Sequence, residues 1–176
     1  MIKASDIKFI DFLQLSDKDR SLLEEAYLVQ SCTLEFDCMN WTWGDVLKCR
    51  EMLSSQLTYE NVLEIAQMEA KKLTMYSPAS TVFQAYNEIA KQMAEMVENE
   101  QLAYETKTTP KEKAAADEVG GFDMFGFYPQ SFQLCKLLNC SYSEVQRTPY
   151  YVCFTALAYN ARFNNYQSIL YKPTEQ

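Results

Sequence analysis

The chain has 176 residues, 48 % hydrophobic and 14 % aromatic, enough to fill the core of one domain. It carries 16 basic against 24 acidic side chains, a net charge of −8, which argues against general nucleic-acid binding because Lys and Arg contacts to phosphate supply most of that affinity. It has no histidine, which excludes Ser-His-Asp and Cys-His catalysis and every His-containing metal site.

With four glycines and five prolines, long regular elements are expected, and the Ala, Glu, Leu and Met usage favours helices. The opening "MIKASDIKFIDFLQ" has charges throughout and no long apolar run, so no secretory signal is expected. The six cysteines then read as reduced, mostly buried thiols. "IKFIDFL" fits strand or helix equally. Ser16 is a good N-cap for a helix over 17–30, with Leu22, Leu23, Ala26 and Tyr27 facing inward. "CTLEFDCMN" alternates like a strand and predicts a short extended segment near the N-terminus.

Thr42 caps a helix whose inner face is Trp43, Val46, Leu47 and Leu53. Thr58 caps a second, with Tyr59, Val62, Leu63, Ala66, Ala70 and Leu73 inward. The short link between them predicts an antiparallel αα-hairpin. Trp41 and Trp43 stand two apart at a helix start and cannot share a face. Trp43 belongs to the core, and Trp41 is a candidate surface anchor for a partner.

Ser77-Pro78 is a helix start. The helix behind it has a seam at Val82, Tyr86, Ile89, Met93 and Met96. The next seam positions are Glu100 and Ala103, so the seam fades and the helix is expected to outlast the core and project. Glu24, Glu25, Glu95, Glu98 and Glu100 read as polar helix faces.

Residues 1–107 thus form an N-terminal helical region. Residues 108–128 are a linker and a glycine–aromatic loop. Residues 129–176 are a C-terminal helical region that packs on the first, giving one domain overall. In the loop, Gly120, Gly121 and Gly126 let the chain bend, while Phe122, Met124, Phe125, Phe127 and Tyr128 carry apolar surface. These five, with Trp41, are the candidate protein-interface residues. The loop can alternatively fold back and fill its own core.

Pro129 opens a short helix carrying Phe132, Leu134, Cys135 and Leu138. Ser141 and Glu144 form a capping box. Thr148-Pro149 starts a final helix to about residue 166, with Val152, Ala156, Tyr159 and Phe163 on one face together with the earlier Val145. No repeat of solenoid period occurs. "LTYENVLEI" and "CSYSEVQRT" share a polar cap, Tyr, x, x, Val, which reads as helix-start chemistry. Tyr128, Tyr142, Tyr150, Tyr151, Tyr159, Tyr166 and Tyr171 crowd this region and fit an interface or a core with hydroxyls at its rim. The fold expected is all-α: a small helical bundle with an αα-hairpin, one long projecting helix and a C-terminal helical pair.

No pattern names a chemistry. The spacings Cys32-x5-Cys38 and Cys135-x4-Cys140 are not paired C-x-x-C zinc knuckles. Neither a Walker loop nor a dinucleotide fingerprint occurs. No catalytic residue, metal, cofactor or small-molecule substrate is nominated, and the expectation is a non-enzyme. The longest apolar run, "YYVCFTALAY", falls well short of the ~20 residues a membrane helix needs.

"NWTWGDVLKCREMLSSQLTYENVLEI" and the later "CSYSEVQRTPYYV" together resemble small all-helical proteins from the structural modules of tailed bacteriophages. These include tail-assembly chaperones and the ring or adaptor proteins below the portal. Tyr142, Glu144, Val145, Pro149 and Tyr150 carry the resemblance most closely. The low-glycine, Asn- and Tyr-rich, histidine-free composition is similar to that of crAss-like phages of gut Bacteroidetes. The resemblance implies a non-catalytic virion or assembly protein, a subunit of a connector or tail ring. Its partners would be other copies of itself and neighbouring virion proteins, in the virion or the reducing host cytoplasm. The alternative is an acidic phage-encoded inhibitor, of anti-defence or DNA-mimic type, with an acidic face drawn from Glu88, Glu95, Glu98, Glu105 and Asp117.

Overall fold

A computed structural model of the chain describes residues 7–28, 36–56, 58–104 and 126–171. These residues are all-α. They form α1 (Phe9–Leu13), α2 (Asp17–Leu28), α3 (Trp43–Ser54), α4 (Tyr59–Glu69), α5 (Ala79–Tyr104), α6 (Tyr128–Leu138), α7 (Tyr142–Arg147) and α8 (Tyr150–Leu170). No helix among them is long and apolar enough to cross a membrane.

Four of the helix starts follow from side-chain caps. The hydroxyls of Ser16, Thr42 and Thr58 each accept from the backbone N–H three residues on, at 3.3, 3.2 and 3.2 Å. Each satisfies one of the orphan donors of a first turn. Ser141 and Glu144 complete the reciprocal capping box of α7. The αα-hairpin forms as expected: Lys48 of α3 meets Glu64 of α4 at 2.7 Å, positions that stand symmetrically about the link. The pair is half exposed and contributes little by itself.

The ambiguous "IKFIDFL" resolves to helix from Phe9. The described part of the expected extended segment is instead a 3-10 turn, Cys38–Asn40. The Gln92 side chain decides this: it accepts from the Cys38 N–H at 3.1 Å and donates to the Phe36 carbonyl at 3.0 Å, so these backbone groups need no strand partner. Residues 32–35 lie outside the described residues.

The chain divides into two compact units interleaved in sequence. The first unit is Met1–Cys38 with Lys48–Glu95, and the second is Met39–Leu47 with Met96–Gln176. The unit boundaries fall inside α3 and α5, while residues 105–125, which hold most of the expected linker and loop, lie outside the described residues.

The first unit is built around rings. Phe12 meets Phe83 at 5.2 Å and Tyr59 at 5.5 Å, both edge-on, and Phe83 stacks on Tyr27 at 5.8 Å. Val62, Leu63, Ala66, Ala79, Val82 and Ala85 close the cluster. In the second unit Trp43 is fully buried, stacked on Tyr150 at 5.8 Å, and its indole N–H donates to Ser131 Oγ at 3.0 Å.

One backbone device occurs in both units. In the first, the Phe9 N–H donates to the Ser77 carbonyl and the Ala79 N–H to the Ile7 carbonyl, both at 2.8 Å, which pairs Lys8 with Pro78. In the second, Trp43 donates to Thr148 at 2.8 Å and Tyr150 to Trp41 at 2.7 Å, which pairs Thr42 with Pro149. In each, a Ser/Thr-Pro that opens the long helix is tied to the residue preceding an early helix. In each, a cap-Tyr-x-x-Val helix comes before that proline, with its valine (Val62 or Val145) buried. The shared pattern read above as helix-start chemistry therefore marks equivalent positions of two similarly built units.

Two expectations are corrected here. The long helix does not leave the core after Met96. Glu100 is 7 % exposed, and the Tyr150 hydroxyl donates to its carboxylate at 2.5 Å. Tyr104, a turn further on, packs against Phe154 at 5.7 Å. A buried donor opposite a seam position lets a carboxylate occupy it, and hydropathy alone cannot show that donor. Trp41, the expected surface anchor, is buried at 9 % exposure, because the bond from the Tyr150 N–H to its carbonyl holds the segment in the core.

Candidate functional site

The surface of the second unit carries the unusual chemistry. α8 buries Tyr150, Cys153, Leu157 and Ala161, at steps of three and four. Tyr151, Thr155, Tyr159, Phe163, Tyr166 and Leu170 follow steps of four and three on the opposite side, and all are exposed. Among them Tyr151 is 48 %, Tyr159 69 %, Phe163 43 % and Tyr166 60 % exposed. Tyr159 and Phe163 stack on one another at 6.0 Å. Arg162 is the only charged side chain in this helix. Counting roughly 200 Å² per aromatic side chain, the four outer rings leave about 440 Å² bare. That reaches the size of the largest patch a typical monomer shows, which is often functional.

This corrects the face predicted for the last helix. Val152 and Ala156 are partly buried, and Tyr159 and Phe163 point outward. The helix is apolar on both sides, so periodicity could not select the buried one.

A second aromatic surface lies on α6 and α7. Tyr128, Phe132 and Tyr142 form a mutually packed trio, with ring centroids 6.0–6.4 Å apart. They are 58 %, 56 % and 38 % exposed. Burial, then the neighbouring Tyr128 and Cys135, push the Tyr142 phenol up, so it stays a neutral donor. Phe127 is exposed beside Tyr128 in the chain. On the same scale these four rings leave about 380 Å² bare. The αL conformation of Asn139 (φ 51°) ends α6 and turns the chain into the cap of α7, so the trio depends on that turn.

Of the predicted interface residues, Phe127 and Tyr128 are therefore exposed and Trp41 is buried. Phe122, Met124 and Phe125 lie outside the described residues. Tyr142, Tyr151, Tyr159 and Tyr166, which fit either an interface or a core rim in the sequence, are exposed, and so are Phe132 and Phe163, which the sequence does not mark as surface residues. The available signal was a 21-residue helix with one charge. Of the seven tyrosines noted in this region, only Tyr150 is buried.

Other features of the described residues lie apart from these aromatic surfaces. A cleft of about 480 Å³ in the first unit is lined by Glu24, Thr58, Tyr59, Val62, Phe83, Tyr86 and Asn87. Glu24 accepts from the Tyr59 hydroxyl at 2.6 Å, and burial followed by that bond raises the Tyr59 phenol, which stays neutral. Burial pushes the thiols of Cys38, Cys49 and Cys153 up to about 12, 11 and 12, so they are poor nucleophiles. No group of three His, Cys, Asp or Glu able to hold a metal occurs among the described residues. Of the acidic face considered above, Glu88 accepts from Gln92 and Glu95 stands beside Lys91, while Glu105 and Asp117 lie outside the described residues.

The fold places the chain among all-α helical proteins. No family model matches it, and no curated protein or solved structure matches it either.

Proposed function

We propose that this chain is a non-catalytic virion structural or assembly protein of a tailed bacteriophage, a subunit of a connector or tail ring that acts through protein–protein contacts. The observation that carries the reading is α8, a helix apolar on both sides whose outer aromatic face is bare in the single chain. Helices apolar all round are normally buried. A subunit that meets this condition only after assembly accounts for the exposed rings. The phage assignment rests on the resemblance of the two quoted stretches, and it implies the virion or the host cytoplasm as location. An acidic inhibitor needs a contiguous acidic face, and the described carboxylates engaged by Gln92 and Lys91 do not favour it.

The test is quantitative mass spectrometry of purified particles and assembly intermediates from a phage whose genome encodes the chain. The expected result is the chain at a fixed copy number relative to the portal protein. Its absence from both fractions overturns the reading.

A further inference from the structure

We propose that the two aromatic surfaces of the second unit are the two halves of one head-to-tail contact. The outer face of α8 on one copy docks on the Tyr128–Phe132–Tyr142 trio of the next. The occupant of each surface is thus a second copy of this chain. The inference rests on the assembly reading above and names its interface.

The argument starts from position. The outer stripe of α8 lies opposite the residues that helix buries, Tyr150, Cys153, Leu157 and Ala161. On α6, Tyr128 and Phe132 stand about a third of a turn from the buried Ser131 and Leu134, by 3.6 residues per turn. Each helix therefore turns its bare rings away from the core it helps to form. One chain presents two different apolar surfaces on different elements.

The areas match. About 440 Å² on the stripe against about 380 Å² on the trio and Phe127 gives roughly 800 Å² from eight rings in one contact. A stable interface buries about 1,200–2,000 Å² in total. Leu170 on the stripe and Ile169 next to it are also exposed and add to the rings. Stripe-on-stripe pairing by a two-fold axis would cover one surface and leave the other bare. Head-to-tail pairing covers both with a single kind of contact, and such contacts generate rings when the rotation closes.

The chemistry also fits. Arg162, the only charge on α8, would meet ring faces, where a guanidinium is attracted by the π-system.

The experiment is light scattering after size exclusion on the full chain and two variants. The stripe variant is Tyr159→Ser with Phe163→Ser, and the trio variant is Tyr128→Ser with Phe132→Ser. All four residues are exposed, and circular dichroism checks that helix content is kept. The intact chain is expected to form multimers and each variant a monomer. An equimolar mixture of the two variants is expected to give a species of twice the monomer mass, because one intact stripe meets one intact trio and the pair cannot extend. A monomeric intact chain, a variant that keeps the intact mass, or a mixture that stays monomeric overturns the proposal. A second readout needs no disrupted surface. A benzophenone amino acid in place of Tyr159 should cross-link to a peptide within residues 126–147 of another copy, and cross-links confined to α8 would overturn the pairing. A monomer still found at fixed stoichiometry in particles would sink this contact and leave the assembly reading standing.

Discussion

Replacing Tyr150 by phenylalanine removes one oxygen from the core of the second unit. That hydroxyl donates to the Glu100 carboxylate at 2.5 Å, with both residues buried. The ring itself keeps its stack on Trp43 at 5.8 Å and its contact with Phe154 at 6.1 Å. The substitution therefore isolates one hydrogen bond to a buried acidic group. Hydrogen bonds to charged groups are worth about 1.5–3 kcal/mol. A loss of about 2 kcal/mol is expected, or a fall in Tm of about 4–8 °C for a chain of this size. Urea unfolding followed by tryptophan fluorescence is the assay, since both tryptophans lie in this unit. The midpoint should fall with the slope unchanged. Glu100→Gln keeps an acceptor and should cost less. If Tyr150→Phe unfolds within about 0.5 kcal/mol of the intact chain, the argument that this bond seats Glu100 in the core is wrong.

Three further outcomes follow from the geometry. Gly44→Ala should destabilise although alanine favours helix by about 1 kcal/mol. A Cβ there would stand 2.9 Å from the Gln146 side-chain oxygen and 3.0 Å from its backbone carbonyl, and a midpoint at or above that of the intact chain would refute this. Ser141→Ala should cost about 1 kcal/mol at neutral pH through the lost cap. The Ser141 hydroxyl, then its backbone N–H, hold the Glu144 carboxyl below the usual range. Because the folded value is the lower one, this contribution is full above the ordinary carboxylate pKa and fades as pH falls through the folded value. The gap between intact and variant stabilities should thus narrow in acid, and a pH-independent gap would count against the cap. In thiol titration of the native chain at about pH 8, Cys38, Cys49 and Cys153 should stay silent until denaturant is added. Labelling of those three at the rate of the partly exposed Cys135 would contradict their burial.

Local signals in the sequence were read accurately where the chemistry is local. Thr42, Thr58 and Ser141 set helix starts through bonds to residues three positions on, and a sequence contains all of that information. The two Ser/Thr-Pro pairs also precede helices, but their hydroxyls do not cap them: Ser77 accepts from the Thr74 N–H, Thr148 donates to the Glu144 carbonyl, and Pro149 itself is the N-cap of α8. Glu100 could not be read this way, because its partner Tyr150 lies fifty residues on and nothing in the α5 pattern shows a donor waiting. Trp41 was misplaced for a similar reason, since the backbone bond that draws it inward comes from Tyr150. On α8, the difficulty was an excess of apolar residues. With both faces hydrophobic, the pattern offered two equally good cores, and only the packing of Cys153, Leu157 and Ala161 chose between them. The bare outer face that resulted is the candidate site, and its composition was visible while its exposure was not.

The central claim is that the chain works by covering the aromatic surfaces of its second unit. Hydroxyl-radical footprinting of the intact chain, dilute and concentrated, tests it most directly. With rising concentration, oxidation should fall at Tyr151, Tyr159, Phe163 and Tyr166 and at Tyr128, Phe132 and Tyr142. Tyr76, which is exposed in the first unit, should stay equally reactive. Unchanged oxidation at all seven rings, or protection confined to the first unit, would contradict the account.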